Sequence, residues 1–125
     1  MVHVASHDLE TMLDAYIRAA LWSSTDESTP DGGEPLDRNY GPEDLVESTR
    51  EGMRRDVAAF AEAYATEIAG NWEGAGHDLW LTRNGHGAGF WDGDWPEPAA
   101  TVLTDAAHAL GSVYLYVGDN GRIDS

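Results

Sequence analysis

The chain has 125 residues, 42% of them hydrophobic, and seven basic residues against 23 acidic ones, for a formal net charge of −16. That length supports one domain with a real core, and the absence of cysteine excludes disulfides and thiolate chemistry. Every basic residue is an arginine, and so acidic a chain is repelled by nucleic-acid phosphates and anionic membranes, so direct binding to either is not expected.

Three causes fit the acidity: a high-salt cytoplasm, a surface imitating the charge of DNA, or a GC-rich genome combined with an ordinary acidic surface. The missing lysine fits the first and third equally. No apolar run approaches the roughly 18 residues of a membrane span. The opening MVHVASHDLE has no basic stretch followed by an apolar one, so the expected location is the cytoplasm.

In chain order, SHDLETMLDAYIRAALWSS reads as a helix that Ser6 caps, with Leu9, Leu13, Tyr16 and Ala20 on one face and Asp8 and Glu10 in the first turn. Residues 24–41, rich in Pro, Gly, Ser and acid, read as a loop. Residues 42–70 predict a long helix opened by Pro42, Glu43 and Asp44 and stopped at Gly70. Its stripe is Leu45, Thr49, Met53, Val57, Phe60, Tyr64 and Ile68, and Glu51 and Arg55 form an i,i+4 pair.

After residue 70 the apparent period changes. In HDLWLTR, Leu79 and Leu81 alternate with more polar positions as in a half-buried strand, Asn84-Gly85 is a hairpin signal, and AGFWD is the returning strand. PAATVLTDAAHAL predicts a short helix ending at Gly111. SVYLYVG predicts a strand with Val113, Leu115 and Val117 on one face and Tyr114 and Tyr116 on the other, and GDNGRI closes a second hairpin. The expected fold is α+β and a single domain over 1–125: two N-terminal helices and one short C-terminal helix on an antiparallel sheet of about four strands.

The stretch HDLWLTRNGHGAGFWDGDW, residues 77–95, carries the candidate chemistry. His77, Asp78, His86, Asp92 and Asp94 are metal-ligand types, but their spacing matches neither a zinc site nor a calcium loop, and neither a metal nor a cofactor is expected. For acid–base work, His86 is the candidate base with Asp92 or Asp78 as its orienting partner, although no nucleophile elbow or phosphate loop accompanies it. A third reading is a hairpin that displays aromatics for protein recognition, with Trp80, Phe90, Trp91 and Trp95 clustered and Arg83 stacked on an indole.

AGHDLWLTRNGHGAGFWDGDW, followed after a gap by LTDAAHALGSVYLYVGDNGRI, resembles a family of small acidic proteins encoded by bacteriophages and mobile elements. The resemblance covers roughly residues 74–123. It departs at Leu79, where the family more often has an aromatic residue, and at Asn120, where aspartate is usual. It implies a phage or mobile-element origin and transfers no catalytic residue. By analogy of class, it points to a non-enzymatic protein that binds a host protein in the host cytoplasm and inhibits a nucleic-acid enzyme.

Two surfaces are candidates for that binding. One is acidic: Asp8, Glu10, Asp14, Asp26, Glu27, Asp31, Glu34, Glu43, Asp44, Glu47 and Glu51, acting as a DNA mimic. The other is the hairpin of His77, Asp78, Trp80, Arg83, Asn84, His86, Trp91 and Asp92. The rival expectation is a small enzyme or ligand- or metal-binding protein with a site around His77, His86 and Asp92.

Overall fold

The computed structural model describes residues 4–28, 32–86, 89–92 and 95–125. Its architecture is mostly helical, which corrects the expected four-stranded sheet. Helix α1 spans Ser6–Ser23, α2 Glu47–Ala63, α3 Ala65–Ile68, α4 Trp72–Arg83 and α5 Ala99–Leu110. The described strands are four two-residue pieces, β1 Thr25–Asp26 with β2 Glu34–Pro35, and β3 Tyr116–Val117 with β4 Ile123–Asp124, each pair antiparallel.

Helix α1 lies at the centre and packs most extensively on α4. Its buried face, including Met12, Leu13, Tyr16, Ile17 and Leu21, is wider than the expected stripe because α2 and α4 both cover it. Ser6 is the first helical residue and not the cap. The cap position is Ala5, which offers no side-chain hydrogen bond.

The stripe expected between residues 45 and 68 points inward as read, with Leu45, Thr49, Met53, Val57, Phe60 and Ile68 buried and Tyr64 half-buried. The continuous helix does not form. Pro42–Asp44 make a separate 3-10 turn, held by Asp44 Oδ2 accepting from Gly41 N–H at 2.8 Å. Leu45 and Val46 stay extended because the C-terminal strand docks there: Val46 N–H donates to the Ile123 carbonyl at 2.9 Å. Tyr64 then interrupts the helix ahead of α3, which ends at left-handed Ala69. Among the described residues Glu51 and Arg55 form no ion pair, and Arg54 reaches across to Glu10 on α1 instead.

The largest correction falls on residues 72–92. HDLWLTR lies in a helix, α4, and not in a strand. Asn71 caps this helix, its side chain accepting from Gly74 N–H at 3.2 Å. Asn84 and Gly85 end it: Asn84 is the C-cap and Gly85, at φ 73°, takes the left-handed position that stops a helix. Asn-Gly supplies the same left-handed conformation to a hairpin turn, so the dipeptide alone does not separate the two. The leucine alternation arises because the C-terminal half of α4 is buried on nearly every side, from Leu79 to Arg83, between α1 and α5.

The returning strand is absent as well. Residues 89–92 lie in turns, folded back on α4 by Phe90 N–H donating to Thr82 Oγ1 at 3.1 Å; Ala88 lies outside the described residues. Helix α5 and the closing β3–β4 hairpin match their expectations, although β3 keeps only two of the residues expected for its strand.

Candidate functional site

Two adjoining clefts meet at the face of the α1–α4 pair. The first, about 430 Å³, is lined by Leu21, Trp22, Asp37, Tyr40, Pro42 and the dividing residues of the wall, and its lining is mostly apolar. The second, about 460 Å³, is more polar, with Glu73, Asp78, Asp92 and Trp95 among its walls. Arg18 and His77 belong to both and divide them.

Trp22 falls off the buried stripe of α1, so its ring is left 57% exposed. It stands against the His77 imidazole, ring centroids 6.3 Å apart and tilted by 32°. Arg18 sits one turn earlier, paired with Asp14 at 3.0 Å, and both side chains are mostly solvated, so that pair contributes little stability.

Along α4, His77 is half-exposed while the adjacent Asp78 side chain is only 14% exposed. Asp78 Oδ1 accepts from His77 Nδ1 at 3.0 Å, and its Oδ2 accepts from Trp95 Nε1–H at 2.7 Å. The tautomer that donates from Nδ1 to this carboxylate has Nε2 as its acceptor, and His77 lines both clefts. Trp95 is itself fixed by edge-to-face contact with Phe90, centroids 5.3 Å apart. The chain Trp95–Asp78–His77 therefore sets a carboxylate-held imidazole at the boundary of two clefts.

The other motif residues divide by role. Arg83, only 7% exposed, ties the helices together: its guanidinium donates to Tyr16 Oη at 3.0 Å, Asp56 Oδ2 at 3.0 Å, and the carbonyls of Gly111 at 2.8 Å and Leu110 at 3.2 Å. Among the described residues it stacks on no indole. Trp80 is buried, edge-on to Tyr16, with Nε1–H donating to Ser23 Oγ at 2.7 Å. Asn84 donates to the Trp80 carbonyl and accepts from Val113 N–H at 2.8 Å. Trp91 is 55% exposed and Asp92 is exposed. His86 is exposed and lines a different cleft from His77 and Asp92, so the structure does not assemble the expected His77–His86–Asp92 site.

Burial gives Tyr16 a pH signature. Its hydroxyl is pushed up to about 12 from an ordinary 10, with burial outweighing the nearby Arg83 guanidinium. A raised folded-state value means the stabilisation is complete below pH 10 and is lost as pH rises toward 12. Urea unfolding between pH 9 and 12 should show a fall of order 2 kcal/mol. The same titration of Tyr16→Phe should lack that component; an unchanged fall would assign it to other groups.

The acidic residues are spread over several elements. Asp8, Glu10 and Asp14 lie on α1, Glu27 and Glu34 in the β1–β2 region, Glu43 and Asp44 in the 3-10 turn, and Glu47 and Glu51 on α2. Asp26 is 6% exposed and accepts from Ser28 N–H at 2.9 Å, which makes it a turn residue. Asp31 and Asp94 lie outside the described residues. Sequence alone does not single out Arg18, Trp22 and Tyr40; a tryptophan off the apolar stripe of α1 is the available signal.

Among the described residues no group of three or more His, Asp or Glu side chains is placed to hold a metal ion, and no helix is long and apolar enough to cross a membrane. No family model, no curated protein and no solved structure matches this chain.

Proposed function

We propose that this protein is a binding protein of phage or mobile-element origin that engages a basic surface on a host protein, with Trp22 and its cleft as the anchor. The observation that carries this reading is the 57% exposed Trp22 ring bordering an apolar cleft of about 430 Å³ on a chain of net charge −16. Tryptophan beside a preformed pocket is the typical anchor of an interface, and excess negative charge speeds encounter with a basic partner. A host nucleic-acid enzyme has such a surface by necessity. The acids on several elements supply the field, and the cleft supplies the contact.

The test is capture from host lysate followed by affinity measurement with the purified partner. Trp22→Ala should weaken binding by about thirtyfold, the size of an interface hot spot, with little change in salt dependence. Glu47→Gln with Glu51→Gln should mainly slow association at low salt. A partner bound equally well by Trp22→Ala would remove the cleft from this reading.

A second reading has its own support in the Trp95–Asp78–His77 chain, which orients His77 as an acid–base group toward a small ligand. Asp78→Asn would then abolish turnover or ligand binding while leaving host-protein capture intact. Loss of capture together with ligand binding would count against a separate acid–base role.

A further inference from the structure

A third cleft, of about 310 Å³, opens on the side of α4 where its C-terminal end meets residues 112–115. It brings together the two parts of the sequence motif, the NGH turn through Asn84 and His86 and the start of SVYLY through Ser112 and Tyr114. Its lining differs in kind from the other two. The wall is largely apolar, with polar points from the hydroxyls of Ser23, Ser24, Thr25, Ser112 and Tyr114 and from Asn84 and His86, and among the described residues no carboxylate and no arginine lines it. In a chain with 23 acidic residues, an uncharged cleft is a chemical statement about what fits there.

An aromatic platform stands at its edge. Tyr114 and Tyr116 are two apart on an extended segment, so their rings project from the same face. The rings stack with centroids 6.2 Å apart and 21° between planes, 66% and 41% exposed. Leu115 between them is buried and anchors the segment. Buried Trp80 also lines the cleft, its indole N–H donating to Ser23 Oγ, while the Thr25 and Ser112 hydroxyls already donate, to Glu27 Oε1 at 2.8 Å and to the Arg83 carbonyl at 3.5 Å, and so offer a ligand their lone pairs.

We infer that this cleft binds a neutral saccharide unit. A sugar ring offers a C–H face that packs on exposed tyrosines and a ring of hydroxyls that exchange hydrogen bonds with serine, threonine and imidazole partners. The volume lies at the lower end of ordinary ligand sites, as suits one or two sugar units. A nucleotide would stack equally well, but the field of the whole chain opposes its phosphates. This site is separate from the Trp22 cleft and stands or falls independently of it.

The experiment is titration of isotope-labelled protein with maltose and with N,N′-diacetylchitobiose into the tens of millimolar, following amide and tyrosine-ring signals. The expected result is a saturable shift confined to Ser23–Thr25, His86 and Tyr114–Tyr116 for at least one of them, weakened about tenfold in Tyr114→Ala. Because Tyr114 is largely exposed, that variant should fold normally, and His86→Ala provides a second exposed probe of the same site. No saturable shift with either sugar, or binding indifferent to both Tyr114→Ala and His86→Ala, would overturn the inference.

Discussion

Gly76→Ala should lower stability by about 3 kcal/mol, the upper part of the range for overpacking, and bring Tm down by roughly 10 °C. At Gly76, α1 and α4 meet backbone to backbone: a Cβ there would lie 2.0 Å from the Met12 carbonyl oxygen and 3.0 Å from Tyr16 N. Neither atom is the end of a flexible side chain, so relief requires the two helices to separate along the largest interface in the molecule. Gly52 provides the control. It lies inside α2 with nothing within 4 Å of where a Cβ would stand, so Gly52→Ala should gain about 0.5–1 kcal/mol from helix propensity. Thermal melts of the two variants should therefore move in opposite directions. A Gly76→Ala melt within a degree or two of wild type would mean that α1 and α4 do not approach as closely as described.

Arg83→Met should cost about 3–5 kcal/mol, the scale seen when one partner of a buried charged network is removed. The guanidinium joins α4 to α1 through Tyr16, to α2 through Asp56, and to the end of α5 through two carbonyls. Methionine fills much of the volume and satisfies none of those groups. The loss resides chiefly with the carbonyls and the tyrosine, because the Asp56 side chain is 39% exposed and can turn to water. Asp56→Asn is accordingly expected to cost much less, about 1 kcal/mol. Arg83→Lys should fall nearer to methionine than to wild type, since an ammonium cannot span the fork that the planar guanidinium fills. Denaturant midpoints for the three variants test this order, and equal losses in Asp56→Asn and Arg83→Met would place the energy in the ion pair alone.

These two residues also mark where local sequence runs out. Sequence puts Arg83 on a recognition hairpin, because arginine and tryptophan are the usual anchors of protein interfaces. Its burial depends on Tyr16, Asp56 and the end of α5 arriving from distant parts of the chain. Gly76 carries no sign of contact, since a glycine in a helix weakens the helical pattern and shows nothing of what lies opposite. With Gly74, it helps to disguise α4. The same holds for the candidate site. His77 and Asp78 are legible as chemistry, but their partner Trp95 and the wall from Arg18 and Trp22 come from elsewhere. His86 drops away because a helix, and not a hairpin, separates it from His77.

The sequence by itself determined the inward faces of α1 and α2, the extent of α5, the tight turn before Ile123 and the strongly acidic surface. Each is written in local terms: an apolar stripe of period 3.6, a glycine after the last turn, an Asn-Gly between alternating residues, a count of charges. Tertiary structure alone decided that residues 72–83 are helical, where the chain breaks before α2, and which side chains share a cleft. The C-terminal half of that helix is buried on nearly every side and has no polar face to mark its period. Val46 stays out of α2 because Ile123, 77 positions later, takes its hydrogen bond. Packing between remote segments sets these outcomes, and no local pattern of residues records it.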